Sequence, residues 1–494
     1  MAAAEADGET EERKADDTSK PSGTDSAAAT PTPDTPVTGH LHLDRSWLDT
    51  LDKREHLNVV LIGHVDAGKS TTAGNVLVLT DQVDKRTIDK FEREAKSLNR
   101  ESWYMAFVMD TSEEERAKGK TVEVGRAYFA TEHKRYTILD APGHKNYVPN
   151  MISGASQADV GVLVISARRG EFEAGFDRSG QTREHALLAK TLGVTKLVVA
   201  VNKMDEPTVR WSQERFEGIV KKLRPFLRGC GYKVKHDVVF LPMSGLTGAN
   251  IKDPVGAAAP WWKGPTLFQA LDETEVPGRS PDAPLRIPVL DRLNDRGTVA
   301  MGKVETGVIY NGQRLLIMPT RKPAEVQNVM LDDETELPGA RPGENLRVRL
   351  RGVGDEDVLK GFVLCDAAHP CAAVHQFEAQ IMLLQLLEHR SVFTAGYRAV
   401  LHIHTLVEEC TITRLLSSTD PAKKNPDGTP VVVRKPRFAK SNQLVNVRIR
   451  VPRSICVDTY TSAAPLGRFT LRDEGRTIAI GKITKLPKDK AGDE

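Results

Sequence analysis

Short apolar runs set the rhythm of the first half of the chain. Asn58-Val59-Val60-Leu61-Ile62, Arg135-Tyr136-Thr137-Ile138-Leu139 and Lys196-Leu197-Val198-Val199-Ala200-Val201 are rich in β-branched residues and too short to be helices. Such runs read as buried strands. Between them the spacing turns helical: Thr71 to Leu79 is one such stretch, and Ile88, Phe91, Ala95 and Leu98 recur on one helical face of another. Strand-like and helix-like runs alternate from about residue 56 to 275, which predicts a mostly parallel sheet with helices on both faces. The turn formers Glu275 to Asp282 then mark a linker, and the period changes. Thr298 to Val304 and Leu346 to Leu350 alternate, and Val308-Ile309-Tyr310 and Leu315-Leu316-Ile317 flank the hairpin-type pair Asn311-Gly312. This predicts a small antiparallel barrel over residues 283–372. Phe377 to Ile381, Ala399 to His404 and Leu444 to Arg450 predict a second barrel over 373–487. The polar segment Asp420 to Gly428 reads as a mobile loop.

Charge and composition alter the picture at the N-terminus. The chain of 494 residues carries a net +2. Residues 1–40 hold nine acidic and three basic side chains, a balance of −6, so the remainder carries +8. Residues 1–45 contain no Phe, Tyr or Trp and few large aliphatic residues. Such a segment cannot bury enough apolar area to order itself, and a disordered acidic tail is expected. Neither signal-peptide nor transit-peptide character is present, and no apolar run approaches the ~18 residues of a membrane span. The five cysteines are scattered and never form C-x-x-C, which fits reduced thiols in a cytoplasmic protein. His402 and His404 fall on one predicted strand face without a Cys or carboxylate partner at a telling spacing, so no metal site is read there.

Four segments carry chemistry. The first strand feeds into Gly63-His64-Val65-Asp66-Ala67-Gly68-Lys69-Ser70, the G-x-x-x-x-G-K-S pattern. Its glycines let successive backbone N–H groups point at phosphate oxygens, Lys69 reaches the β and γ phosphates, and Ser70 offers a hydroxyl to Mg²⁺. Thr71 continues into the helix whose N-terminus faces the anion. Asp140 ends the second strand, where a carboxylate holds Mg²⁺ through water. Gly143 gives a close-approaching N–H, and His144 follows, placed to orient an attacking water or stabilise transition-state charge. Asn202-Lys203-Met204-Asp205 ends the third strand. The Asp205 carboxylate can accept from the ring N–H and exocyclic amine of guanine, a donor pair adenine lacks. Asn202 would brace the loop, the stem of Lys203 would cover the ring face, and Ser244-Gly245-Leu246 would add a further base contact. The expectation is an α/β P-loop GTPase domain over 56–280 followed by two antiparallel β-barrels, binding GTP/GDP and Mg²⁺.

With Thr121, Pro149-Asn150-Met151-Ile152, Gly170-Glu171-Phe172-Glu173 and Gln181-Thr182-Arg183-Glu184-His185, the chain resembles the translational GTPases of the elongation-factor-1-alpha type over about residues 56–487. Lys118 to Arg126 and Gly467 to Gly475 are most similar to the group formed by the GTP-binding subunits of eukaryotic peptide chain release factors. The resemblance implies that Thr121 binds Mg²⁺ and the γ phosphate, and that His144 is a catalytic histidine positioned by the ribosome. It implies a class I release factor as partner, held by the last barrel around Gly467, Arg468 and Phe469, with the peptide-releasing chemistry left to that partner. A monomer or heterodimer working on the ribosome follows. The neighbouring alternatives are carriers of aminoacyl-tRNA or of a ribosome-rescue factor. Two departures stand out. Elongation factors place an Ile before the switch threonine, opposite the residue matching Val65, whereas Lys120 stands here. The aromatic motif with which the family contacts the poly(A)-binding protein has no counterpart in residues 1–45.

Overall fold

The computed structural model describes residues 51–487 except 111–114, 117–120, 177–179, 277, 296, 333 and 425–428. The expected disordered tail, Lys120 and the tip of the 420–428 segment lie outside the described residues.

The first domain is a six-stranded sheet of β1 (Glu55–Gly63), β2 (Gly125–Ala130), β3 (Lys134–Asp140), β4 (Val160–Ser166), β5 (Lys196–Asn202) and β6 (Val238–Pro242), in the order β2-β3-β1-β4-β5-β6. Only β2 runs antiparallel to its neighbour; the other pairings are parallel. The period of two in β1 explains why both sheet faces must be covered: Val60 and Ile62 enter one buried cluster, and Leu57, Val59 and Leu61 enter the opposite one. Parallel order places the C-terminal ends of β3, β1, β4 and β5 along one edge, which gathers the loops after them at one end of the sheet.

The helix after β1 spans Lys69–Leu79 and so begins at the lysine, two residues earlier than its apolar spacing indicates. The helix Lys85–Ser97 is capped by Asp84, whose side chain accepts from Thr87 N. Phe91 and Ala95 are buried with Phe107, and Trp103 and Tyr104 pack on them. The insertion before Thr121 is therefore a packed cover in its described part. It approaches the helix Lys69–Leu79 so closely that a Cβ on Gly74 would lie 1.9 Å from Met105 O.

The second domain holds β7 (Arg286–Asn294), β8 (Thr298–Lys303), β9 (Ile309–Tyr310), β10 (Arg314–Met318), β11 (Lys322–Met330), β12 (Glu336–Leu337), β13 (Gly339–Ala340), β14 (Asn345–Arg351) and β15 (Val363–Asp366). The order β10-β15-β7-β8-β14-β11 closes through β10–β11 into an antiparallel barrel. Asn311-Gly312 does turn the chain, with Gly312 at φ +82° and Gln313 N bonded to Tyr310 O. It is not a hairpin, because β9 pairs with β13 while β10 pairs with β11 and β15. Barrel closure selects those partners, which local turn chemistry does not reveal.

The third domain repeats the plan with β16 (Ala372–Leu383), β17 (Phe393–Thr394), β18 (Arg398–Ile403), β19 (Leu406–Lys424), β20 (Pro430–Arg434), β21 (Phe438–Ala439), β22 (Leu444–Val457), β23 (Arg468–Asp473) and β24 (Arg476–Lys485). The order β18-β23-β24-β16-β22-β19 closes through β18–β19, and β20 extends β19 beyond the barrel. Asp420 to Lys424, expected as loop, continue the long strand β19, with Asp420 and Lys424 paired to β20 across an irregularity in the register. His402 and His404 do not share a strand face: His404 lies beyond β18 at φ +39°, its Nε2 3.1 Å from Cys456 O. Among the described residues no helix is long and apolar enough to cross a membrane.

Candidate nucleotide site

The loops at the C-terminal ends of β1, β3 and β5 surround a cavity of about 390 Å³. Val65, Asp66, Gly68, Lys69, Ser70, Thr71, Thr121, Gly143, His144, Asn202, Lys203, Asp205, Ser244 and Leu246 all line it. Gly63, His64, Ala67, Asp140 and Gly245 do not; they stand behind or beside the wall.

Two glycines of the cradle are fixed by their neighbours. Gly68 sits at φ +92°, and a Cβ there would meet Asn202 Nδ2 at 2.3 Å. A Cβ on Gly143 would lie 2.6 Å from Lys69 Nζ and 3.0 Å from Val65 N. Both positions need the absent side chain. Lys69 is buried, donates to His64 O at 2.9 Å, and is held below the usual lysine range by burial. A desolvated ammonium with one carbonyl partner is short of negative charge, which a phosphate supplies.

Next to it is a concentration of acceptors. Ser70 Oγ and Thr121 Oγ1 are 3.1 Å apart, and Thr121 Oγ1 lies 3.4 Å from Asp110 Oδ1. Asp140 is fully buried, with the Ser70 hydroxyl beside it and no hydrogen bond of good geometry to either oxygen. Burial pushes its carboxyl up to about 6, against the pull of Lys69. Asp110 is pushed up to about 7 by burial and by Asp140 and Glu115. Two buried carboxylates that repel each other beside two hydroxyls form a hard-oxygen donor set with an unmet demand for a cation. No three His, Cys, Asp or Glu side chains form a metal cluster among the described residues.

Asn202 joins three loops. Its Nδ2 donates to Ala67 O at 2.8 Å, and its Oδ1 accepts from Lys203 N and Gly245 N, both at 2.7 Å. It thereby links the phosphate loop to both base-side loops, and a buried amide with these bonds satisfied holds them in one geometry. Lys203, at φ +61°, donates to Glu171 Oε2 at 2.9 Å, so Glu171 fixes its stem along the cavity wall. His144 borders the cavity, with its Nδ1 accepting from Asn146 N at 3.3 Å.

Several wall residues were not legible from motifs. Ser102, Trp103, Ala106 and Asp110 reach the cavity from the insertion, across a sequence gap that no short pattern bridges. Trp103 carries Arg100 over its ring at 4.3 Å. His185, noted only as part of a group-marking segment, takes a hydrogen bond from Gly63 N at 3.2 Å. Burial lowers it to about 3, so the ring is neutral and serves as a fixed acceptor beneath the phosphate loop.

The expected partner-binding trio is corrected by its surroundings. Phe469 is fully buried in the third domain, its ring centroid 5.8 Å from that of Phe377. A Cβ on Gly467 would lie 2.5 Å from Tyr460 N. Arg468 turns toward the first domain, where a Cβ on Gly193 would meet its Nη1 at 1.8 Å. Gly467 and Phe469 thus shape the barrel and Arg468 a domain junction; none of the three presents an open docking face.

The description "Elongation factor Tu GTP binding domain" matches residues 54–277, "Elongation factor Tu domain 2" matches 297–365, and "GTP-eEF1A C-terminal domain-like" matches 376–484. The eukaryotic peptide chain release factor GTP-binding subunit of Kluyveromyces lactis is 49% identical over 439 residues, covering 89% of this chain and 62% of its own length. That of Ogataea pini is 49% identical over 440 residues, covering 89% and 58%. The chain therefore spans about three-fifths of these curated relatives. The GTPase-like domain of Ski7 from S. cerevisiae, solved with GDP and inorganic phosphate, superposes with a TM-score of 0.70 at 17% identity, covering 89% of this chain and 99% of that one. At that identity the likeness concerns the fold.

Proposed function

This chain belongs to the elongation-factor-Tu family of GTP-binding proteins, and from that premise we propose that it is a ribosome-activated GTPase of translation termination that carries a class I release factor. The observation that carries the reading is the convergence on one cavity. Lys69, the paired hydroxyls of Ser70 and Thr121 and the Asn202-braced base loops meet around 390 Å³, with the buried carboxylate of Asp140 behind the wall next to Lys69 and Ser70.

The roles follow from the chemistry of each group. Backbone N–H groups from Asp66 to Ser70 and the ammonium of Lys69 grip the β and γ phosphates. Ser70 and Thr121 would hold a Mg²⁺ ion directly, and Asp140 through water. That ion would draw charge from the phosphate oxygens during transfer. Asp205 accepts from the guanine edge. His144 orients the water that attacks the γ phosphate, in line with the departing oxygen, so that one P–O bond forms as another breaks. Loss of the γ phosphate removes the partner of Thr121 and releases the insertion, which covers the cavity through Trp103 and Ala106. Residues exposed by that release, or by movement of the barrels, set the affinity for the release factor. The 47–49% identity to release-factor subunits supports this partner over aminoacyl-tRNA.

The test measures GTP hydrolysis on ribosomes with a stop codon in the decoding site, with and without a class I release factor. Stimulation requiring both is expected, and His144→Ala should slow it by about 10² while nucleotide affinity stays unchanged. Tight binding of aminoacyl-tRNA, with no response to the release factor, would refute the termination role.

A further inference from the structure

The strand β20 leaves the third domain with four of its five residues exposed. Among the described residues it pairs only with β19, through a register that includes Ser417↔Arg434, Ser418↔Val433, Thr419↔Val432 and Asp420↔Val431. Among the described residues no strand pairs with its other edge. Lys435 N donates to Leu416 O at 2.9 Å, so by the alternation of an antiparallel ladder the N–H and C=O groups of Val432 and Arg434 point outward from that free edge.

The side chains around the edge are unusual for exposed sequence. Val432 is 59% exposed, Val433 50% and Phe438 51%. Residues 430–440 also carry Arg434, Lys435, Arg437 and Lys440 and no acidic residue. Soluble proteins shorten or block open edges, and basic side chains alone would serve that purpose. The two valines beside a free row of backbone donors and acceptors, with exposed Phe438 four residues beyond the strand, work against it, because they reward whatever covers them.

We propose that β20 and the adjacent Arg434 to Lys440 segment are a docking site for an extended, acidic and aliphatic segment of a protein partner, added to the sheet as a further strand. Backbone pairing to Val432 and Arg434 supplies the register. The four cations complement acidic side chains, and Val432, Val433 and Phe438 take the aliphatic ones. RNA would satisfy the cations and could stack on Phe438, but it offers nothing to the two valines or to the free backbone edge. The inference stands apart from the nucleotide chemistry and does not depend on it.

The test uses the full chain and a fluorescein-labelled octapeptide of alternating Glu and Val, read by anisotropy at low and physiological salt. Saturable binding is expected, with slowed amide exchange confined to residues 430–434. Arg434→Glu with Lys435→Glu should weaken it at least tenfold. Val432→Pro removes an outward N–H that the β19 ladder does not use, and it should also weaken binding at least tenfold. Both variants should retain nucleotide affinity, which separates failure of the edge from failure of the fold. No saturable binding by the intact chain overturns the proposal. Full-strength binding by Val432→Pro overturns the strand-addition mode. Tighter binding of an oligouridine of equal length, abolished by the same charge reversal and indifferent to Val432→Pro, would assign the surface to RNA instead.

Discussion

The two barrels share a plan but are fastened to the nucleotide domain by different physics. The first is joined through a buried polar network. Asp159, at the start of β4, accepts from Lys303 Nζ at 2.8 Å, from Arg279 Nη2 at 2.9 Å, and from Asn58 N and Nδ2 at 3.0 Å. Lys303 also donates to Gln157 O, and Asn345 donates to Asn58 Oδ1. His56 lies 2.8 Å from Thr137 Oγ1 and 3.1 Å from Gly343 O of the barrel. The second barrel touches the helix Gln181–Leu192 at two points. At one end Arg472 and Thr477 reach Glu184 Oε1 at 3.4 and 3.2 Å; at the other Arg468 packs on Gly193. A network built on a buried carboxylate and a buried lysine tolerates little displacement, because losing either partner leaves an uncompensated ion. At the second junction Arg472 is buried as well, but its partner Glu184 is partly solvated, so less uncompensated charge is left when that pair is lost. The difference ties the nucleotide domain chiefly to the first barrel, and the second barrel is held in turn to the first, where Met318, Val363 and Cys365 share a buried cluster with Cys371, Cys456 and Leu466 and Arg286 pairs with Asp458 at 2.9 Å.

The largest effect is expected from breaking the first junction. Asp159→Ala removes the carboxylate that Lys303 and Arg279 share, leaving the buried Lys303 without its ion-pair partner and Arg279 with Glu55 alone, and should cost about 3–5 kcal/mol. Urea unfolding would measure it, and a loss below about 1 kcal/mol would contradict the buried-network account. The same carboxylate has an acid signature. Burial alone would raise it, but Lys303 and Arg279 outweigh that and hold it at about 2. Its folded value is depressed, so its contribution is complete above the ordinary carboxylate range and is lost as pH falls from about 4 toward 2.

At the second junction, Gly193 sits at φ +103° with no room for a Cβ against Arg468. Gly193→Ala should cost about 1–2 kcal/mol in backbone strain and push the guanidinium away. The expected readout is a lower urea midpoint than the intact chain. An unchanged midpoint would mean that the packing of Arg468 on Gly193 contributes nothing to holding that junction.

His56 gives a milder probe at ordinary pH. Burial holds it below the usual histidine value, against the attraction of Glu344 and with Arg135 and Arg279 nearby. The unfolded chain therefore takes up the proton first, and stability should fall as pH drops below about 6.5, by up to about 1 kcal/mol per unit. Comparing urea midpoints at pH 7.5 and 5.5, the fall should be smaller in His56→Gln, since buried His185, His402 and His404 remain. An identical fall would exclude His56 as a contributor. Glu184→Gln should have the smallest effect, within about 1 kcal/mol, because its side chain is partly solvated. A double-mutant cycle with Arg472→Ala would measure the pair directly, and zero coupling would leave Gly193 as the only contact of consequence at that junction.

The cavity was legible to the extent that its chemistry is continuous along the chain. Gly68-Lys69-Ser70, Gly143-His144 and Asn202 to Asp205 each follow a strand, and a parallel sheet brings strand ends together, so their meeting follows from pattern alone. Asp110 and Trp103 were not legible, because an insertion folds back over the site by packing Phe91 and Phe107, and no spacing rule encodes that path. Gly467-Arg468-Phe469 shows the opposite error. A recognisable segment was taken for a contact surface, and the fold places Phe469 inside the barrel.

What the sequence determined by itself is local: strand and helix periods, a backbone loop that only glycine permits, and side chains whose charge suits phosphate, cation and base. Those properties depend on a few consecutive residues. The tertiary structure decided which of them lost their water. Burial left Asp140 without a hydrogen bond of good geometry, closed β9 on β13 instead of across its own turn, and left one strand edge open beside Phe438. Desolvation and strand pairing act between residues far apart in the chain, and a linear pattern carries no record of which ones will meet.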